Sequence, residues 1–279
     1  MDGVEEQVSI TVDDYEITSS SDSEIKPSNH NCYERLFNNF TMNGMLRLRN
    51  DSSEYNKIRK SFTAGMAAGM EVNGVVIHRN SYSNPIGQAK MVVFRIFSKA
   101  VAEKRGGDAN VKCAWYGGSR DEISGIIAYG FSGNFGDGYG NGIVLSPANF
   151  PIDSAWRAVE DENGVRHMLL CRVALGNTEL VSPGSDQIQP SSTDFDSGID
   201  NPLAPRKYLV WRAYMNSFIF PNYIISFRTS STPGSNGIGI SAVKPNSPRI
   251  MLPVLLKGLS EFLQPSQMGL ALKYYHDFL

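Results

Sequence analysis

The sequence predicts an α+β fold, and three observations support that class. Two helical patterns of apolar residues come first, at residues 54–70 and 85–105. From Val111 onward, short apolar runs alternate with turns rich in Gly, Ser, Asn and Asp. Little helical pattern lies between those runs, so antiparallel pairing of the strands is favoured over a series of βαβ units. Helices followed by antiparallel strands are typical of α+β domains.

Both helical patterns are predicted to face the core. The first places Tyr55, Ile58, Phe62, Met66 and Met70 at helical spacing. The second repeats that spacing through Ala89, Val93, Ile96, Phe97, Ala100 and Val101. Asn84 is a suitable N-cap for it, Pro85 a first-turn proline and Gly106 a C-terminal stop. Apolar stripes of this kind are core in most proteins.

The strands are followed by a linker and a second helical segment. The predicted strands are "VKCAWYG", "GIVLS", "HMLLCRVAL", "KYLVW" and "NYIISF". Residues 229–248 are rich in Ser, Gly and Pro and are predicted to be a linker. Residues 249–279 contain two short amphipathic patterns, which are too small to form a stable core alone. A partner or further helices would normally cover their apolar faces.

Composition limits the functions that the chain can have. Residues 1–25 contain eight of the chain's 28 acidic residues and no basic one, so residues 1–30 are predicted to be a disordered acidic tail. The remainder is mildly basic but has no run of Lys or Arg, so direct nucleic-acid binding is not expected. No apolar run reaches the length of a membrane helix. The three cysteines and four histidines are scattered, which indicates neither disulfides nor a metal centre and favours a reducing compartment.

Glycine is concentrated between Val111 and Pro147, above all in "GDGYGNG". Such density is typical of backbone that approaches a nucleotide closely. The stretch matches neither G-x-G-x-x-G nor the phosphate-binding G-x-x-x-x-G-K-[ST] motif. By composition alone it is predicted to be a mobile loop between two strands.

Four blocks in order change this interpretation: "AWYGGSR", "GNGIVLSPANFPIDSAW", "RHMLLCRVALGN" and "KYLVWRAYMNSFIFPNYIISF". Together they resemble the catalytic domain of the poly(ADP-ribose) polymerase (PARP) family. "SSTDFDSGID" and "DENGVRHMLLCRVALGN" are similar to the plant SRO family (similar to radical-induced cell death), and "SPRIMLPVLLKGLSEFLQPSQM" resembles the start of its C-terminal RST module. The resemblance covers about residues 55–279 and, without a preceding WWE module, is to the short members of that family.

The resemblance implies a PARP-like domain at 54–228, with a split, mostly antiparallel sheet, an NAD cleft and flanking helices. Residues 249–279 would then be a partial, all-α RST domain. Active PARP domains use a His–Tyr–Glu triad, in which the Glu stabilises positive charge as nicotinamide leaves. The matching positions here are Tyr116, Val144 and Lys207. A lysine in place of that carboxylate would oppose the developing charge, so the chain is predicted to be a pseudoenzyme with no catalytic residues and no required cofactor.

Part of an NAD cleft could remain, formed by Trp115, Gly117, Ser119 and Ser154. The structural alternatives are a turn glycine at Gly117 and a helix cap at Ser154, and weak NAD binding stays open beside them. Two other functions stay open as well. One is an atypical mono-ADP-ribosyltransferase that uses Tyr116, Tyr139 and a substrate carboxylate, and the other is a non-catalytic sensor of NAD or ADP-ribose.

The RST resemblance implies the partners. It predicts an apolar groove that binds transcription factors, lined by Leu252, Leu255, Leu256, Leu259 and Phe262. The expected role is a nuclear adaptor in stress and developmental responses, with the cytoplasm as a second compartment.

Overall fold

The computed structural model describes residues 40–67, 69–132 and 139–229. The predicted acidic tail, the linker beyond Thr229 and the predicted partial RST domain lie outside these residues. Nine strands in the described part form one sheet: β1 (Met45–Arg47), β2 (Val72–Asn80), β3 (Val111–Gly118), β4 (Gly142–Pro147), β5 (Arg166–Ala174), β6 (Thr178–Leu180), β7 (Ser197–Ile199), β8 (Tyr208–Trp211) and β9 (Ile219–Thr229). The helices are α1 (Ser53–Met66), α2 (Pro85–Lys104), α3 (Arg120–Tyr129), α4 (Ile152–Arg157) and α5 (Met215–Phe218).

The strand order is β1-β2-β9-β5-β3-β4-β8-β7-β6, and every neighbouring pair is antiparallel except β6–β7. The sheet is split between β3 and β4, where pairing is limited to Ala114 with Pro147 and Trp115 with Ser146. The predicted split, mostly antiparallel sheet with flanking helices is therefore confirmed. It separates a five-stranded half from a four-stranded half.

Helix α1 begins where predicted but ends at Met66, so Met70 of the predicted stripe lies beyond the helix and is half-buried. The Ser52 side chain caps the helix by accepting the Tyr55 N–H at 3.1 Å, and its buried residues are Tyr55, Ile58, Phe62 and Met66. Helix α3 was not predicted as an element, since it is short and contains Gly125. Its first turn is capped by Ser119, whose hydroxyl accepts the Glu122 N–H at 3.2 Å.

Helix α2 begins where the sequence indicates, with the Asn84 side chain accepting the Gly87 N–H at 2.6 Å. The prediction that its apolar stripe faces the core is wrong. The buried residues are Phe94 and Val101, while the rest of the predicted stripe is exposed: Ala89, Val93, Ile96, Phe97 and Ala100. The reason is geometric. The helix contacts the sheet through the side that carries Phe94 and Val101, so the side that carries Val93, Ile96 and Phe97 faces solvent.

The two faces of the sheet carry separate cores. The first core contains Phe94 and Val101 of α2 with Ile123, Ile126 and Ile127 of α3. The second contains α1 together with Ile152 and Ala155 of α4. We call these sides the α2 face and the α1 face. No helix in the described ranges is both long and apolar enough to cross a bilayer.

Candidate functional site

The residues of β3 alternate between the two faces. Trp115 packs into the core of the α1 face, where its ring centroid lies 5.2 Å from that of Phe62. Tyr116 belongs to the core of the α2 face, and its hydroxyl donates to Glu122 Oε1 at 2.5 Å. Because side chains alternate along a strand, Gly117 is on the same face as Trp115.

The register across the split decides which triad positions share a face. Trp115 pairs with Ser146, so Val144 is on the same side as Gly117, and Tyr116 is on the side of Leu145. The pairing of Val144 with Leu209 puts Lys207, two residues before Leu209, on the Val144 side as well.

The placement of Tyr116 at the histidine position is therefore corrected by the structure. Tyr116 is 2% exposed and lies on the opposite face from Val144 and Lys207. Gly117 is the β3 residue on the shared face. Neither histidine of the described residues supplies the missing group on the shared face, because His78 and His167 both contact Phe40, a member of the α2-face core.

The predicted cleft remnant is occupied by helix α4. A Cβ atom on Gly117 would overlap the carbonyl oxygen of Ser154, so α4 lies directly on the β3 backbone. The Ser154 hydroxyl donates to the Trp115 carbonyl at 2.8 Å and lies 2.8 Å from Ser146 Oγ. The Gly118 carbonyl accepts the Val159 N–H at 3.2 Å. The hydrogen bonds of Ser154 thus hold α4 on the β3 backbone, at the residues predicted to form the cleft remnant.

Neither structural alternative for these residues is what the structure shows. Gly117 lies within a strand rather than a turn, and it is glycine because α4 approaches so closely. Ser154 lies inside α4, whose N-cap is Pro151. Ser119 is a helix cap. Trp115 is fully buried and donates its indole N–H to the Ala148 carbonyl at 2.9 Å.

The residues predicted at the tyrosine and glutamate positions are held by apolar packing and by a cation–ring contact. Val144 packs with Val181, Leu209 and Trp211. Lys207 is half-buried, and its Nζ lies 4.8 Å from the Tyr139 ring centroid. The carboxylate of Asp200 accepts the backbone N–H groups of Arg206 and Lys207, each at 2.9 Å, so it closes this loop rather than replacing the missing Glu.

A second polar cluster was missed by the sequence reasoning. His167 Nδ1 lies 2.9 Å from Ser226 Oγ, and His167 Nε2 lies 3.1 Å from Asp161 Oδ2. The order Ser–His–Asp resembles a hydrolase triad, but Ser226 is fully buried and Asp161 nearly so, which leaves no path for a substrate. Burial lowers the pKa of His167 more than the Asp161 carboxylate raises it. No sequence signal could have joined residues this far apart.

Metal chemistry has no donor set in the part of the chain that the structure describes. No three His, Cys, Asp or Glu side chains there come close enough to hold an ion. Cys113 is half-buried and Cys171 is buried, and burial raises the pKa of both thiols. Both are therefore poor nucleophiles.

The fold and this face together define a PARP-like domain that lacks the catalytic groups of the class. The chain is 39% identical over 99% of its length to "Probable inactive poly [ADP-ribose] polymerase SRO2" of Arabidopsis thaliana, covering 86% of that protein. It is 36% identical, again over 99% of its length, to the protein of the same name numbered SRO5, covering 88% of it. The chain belongs to the plant SRO family and is a pseudoenzyme of PARP type.

A solved structure agrees with this assignment. This chain is similar to the crystal structure of the PARP domain of Arabidopsis RADICAL-INDUCED CELL DEATH1, with a TM-score of 0.56 and 34% sequence identity. The alignment covers 63% of this chain and 98% of the chain in that crystal structure. No protein-family model matches the chain.

Proposed function

We propose that this chain is a nuclear adaptor whose PARP-like domain binds no NAD and whose residues 249–279 bind transcription factors in stress and developmental responses. The observation that carries the first half is the contact of α4 with β3. The carbonyl of Ser154 fills the space beside Gly117. The resemblance in addition predicts Lys207 at the position of the catalytic Glu. A ligand could enter between β3 and α4 only if the helix moved.

The same contacts argue against an atypical transferase. That alternative needs Tyr116 and Tyr139 at one substrate. The Tyr116 hydroxyl is bound to Glu122 on the α2 face, whereas Tyr139 packs with Val144 on the other face. Two groups on opposite sides of a sheet do not act on one atom.

Binding of NAD is tested by thermal unfolding of the full chain with NAD, ADP-ribose or buffer. A ligand at 100 times its dissociation constant adds about 2.7 kcal/mol to the free energy of unfolding. We expect no shift at millimolar NAD or ADP-ribose. A concentration-dependent rise in Tm would instead favour a sensor, and release of nicotinamide from labelled NAD would favour a transferase.

The adaptor role rests on the predicted apolar stripe of residues 249–279. An array of purified transcription factors should bind the full chain, and Leu255→Asp with Leu256→Asp should abolish that binding. Lys257→Ala with Lys273→Ala is the matched control, since it changes neighbouring residues outside the stripe. Equal binding by both variants would place the interaction elsewhere in the chain.

A further inference from the structure

Helix α2 presents an apolar surface that nothing in the described residues covers. We call it the α2 apolar surface, and it consists of Ile86 (62% exposed), Val92 (48%), Val93 (38%), Ile96 (59%) and Phe97 (37%). It continues onto α5, because the rings of Phe97 and Phe218 lie 6.0 Å apart and Tyr214, itself 38% exposed, stacks on Phe218. Contiguous exposed apolar patches in soluble proteins mark interaction sites.

The charge of α2 indicates what kind of partner fits. The helix carries Lys90, Arg95, Lys99 and Lys104 against one acidic residue, Glu103. Lys90 donates to the Ile127 and Ala128 carbonyls and Lys104 pairs with Asp196. Arg95 and Lys99, the latter 3.8 Å from Glu103, are the cations that remain beside the exposed apolar side chains. A second copy of the chain packed symmetrically on this surface would bring two basic helices together, which is unfavourable. An acidic segment with interspersed apolar residues is complementary in both respects.

Residues 2–24 of this chain have that composition. They contain eight acidic residues and no basic residue, and their larger apolar side chains are Val4, Val8, Ile10, Val12, Tyr15 and Ile17. Taken alone, this composition is too polar to form a core. On a basic apolar surface the same residues would be matched in charge and would bury apolar area.

The described residues begin beside α2. Phe40 belongs to the same core as Phe94 and Val101, and a Cβ on Gly44 would lie 2.8 Å from the side-chain amide of Asn84, the α2 N-cap. Residues 25–39 can span up to about 50 Å when extended, whereas a helix of the length of α2 is about 30 Å long. Residues 2–24 can therefore reach any part of the α2 apolar surface.

We propose that the acidic segment at residues 2–24 docks on the α2 apolar surface of the same chain. Tethering raises its local concentration to about the millimolar range, so a weak contact is sufficient to cover the surface. The docked segment shields the apolar side chains and competes with any other acidic apolar segment for them.

The proposal is tested in the full chain with the photo-crosslinker benzoylphenylalanine in place of Ile96. The same group in place of Leu203, which is 95% exposed, is the control. Irradiating a mixture of ¹⁵N-labelled and unlabelled chains distinguishes contacts within one chain from contacts between two. We expect intrachain crosslinks from position 96 to residues 2–24. Mixed-label crosslinks, or a yield no higher than at position 203, would overturn the proposal.

A charge variant tests the complementarity separately. Replacing Asp13, Asp14 and Glu16 by Asn, Asn and Gln should lower the crosslink yield about tenfold, from three surface interactions of roughly 0.5 kcal/mol each. Changing Ser19, Ser20 and Ser21 to Asn alters the same segment without changing its charge and should leave the yield as it was. A yield unaffected by loss of the three acids would contradict the proposed docking.

Discussion

The ammonium group of Lys207 lies 4.8 Å from the centroid of the Tyr139 ring, on the sheet face that also carries Val144. The resemblance to active PARP domains predicts that Lys207 occupies the position of their catalytic carboxylate. The contact satisfies Lys207 without an anion, since the ring face is electronegative. Lys207, Tyr139 and Val144 thus belong to one packed arrangement on this face.

Restoring the carboxylate alone should not restore catalysis. For Lys207→Glu we expect no release of nicotinamide from labelled NAD, because Val144 provides no ring and α4 covers Gly117. An active PARP catalytic domain serves as the positive control. Turnover by Lys207→Glu above that of the unaltered protein would show that α4 opens more readily than the contacts of Ser154 indicate.

The closeness of α4 to β3 is tested by Gly117→Ala. The new methyl group would overlap the Ser154 carbonyl, and we expect a loss of about 3 kcal/mol in the free energy of unfolding. Gly125→Ala is the matched control, since no heavy atom lies within 4 Å of its Cβ position in α3, and it should gain about 0.5–1 kcal/mol. Urea unfolding measures both. A loss below about 1 kcal/mol for Gly117→Ala would mean that α4 moves away easily.

The Arg105–Asp196 ion pair joins the end of α2 to the loop before β7. Arg105 Nε lies 2.7 Å from Asp196 Oδ2, and the two side chains are 11% and 5% exposed. Burial alone would raise the pKa of Asp196, but hydrogen bonds from Arg105, the Asn177 amide and Lys104 lower it overall. Asp196→Ala removes the carboxylate partner of Arg105 and leaves the Thr193 carbonyl as an acceptor, so it should cost about 3 kcal/mol in urea unfolding.

An exposed pair on the same helix is the control for that substitution. Lys99 Nζ lies 3.8 Å from Glu103 Oε1, and both side chains are at least 70% exposed. Glu103→Gln should change the free energy of unfolding by less than about 0.5 kcal/mol. Similar effects of the two substitutions would show that the Asp196 site is more open to water than its burial indicates.

The stability of the domain should fall in mild acid because of His78. Burial, with Arg47 and His167 nearby, lowers the pKa of His78 to about 4. The unfolded chain takes up this proton near pH 6.5 but the folded chain only near pH 4, so stability present above pH 6.5 is lost as the pH falls through that window. The loss approaches about 3 kcal/mol, at roughly 1.4 kcal/mol per unit of pH.

Urea unfolding between pH 7 and 4.5 measures this dependence. His78→Leu removes one titrating group and should make the decline less steep, and His167, whose pKa burial also lowers, accounts for the decline that remains. The Asp161 and Asp196 carboxylates, whose pKa values are lowered, contribute only at more acidic pH. An equally steep decline in His78→Leu would assign the effect to other groups.

The sequence by itself determined the α+β class, the start of α1 and α2, the five strands β3, β4, β5, β8 and β9 of the described sheet, and the loss of the catalytic groups. These features depend on local patterns and residue identity: apolar spacing, the Asn84 cap, and the absence of a histidine and a carboxylate from whole stretches of chain. Such signals can be read from the sequence without knowledge of any tertiary contact.

Only the tertiary structure decided which face of the sheet each residue occupies. A shift of one residue along β3 exchanges Tyr116 for Gly117, and the pairing of Trp115 with Ser146 is what fixes that choice. The outward turn of Val93, Ile96 and Phe97 likewise depends on how α2 lies across the sheet, which its own periodicity does not specify. Apolar spacing establishes that a helix has two sides, but the elements packed against it decide which of its apolar residues are buried.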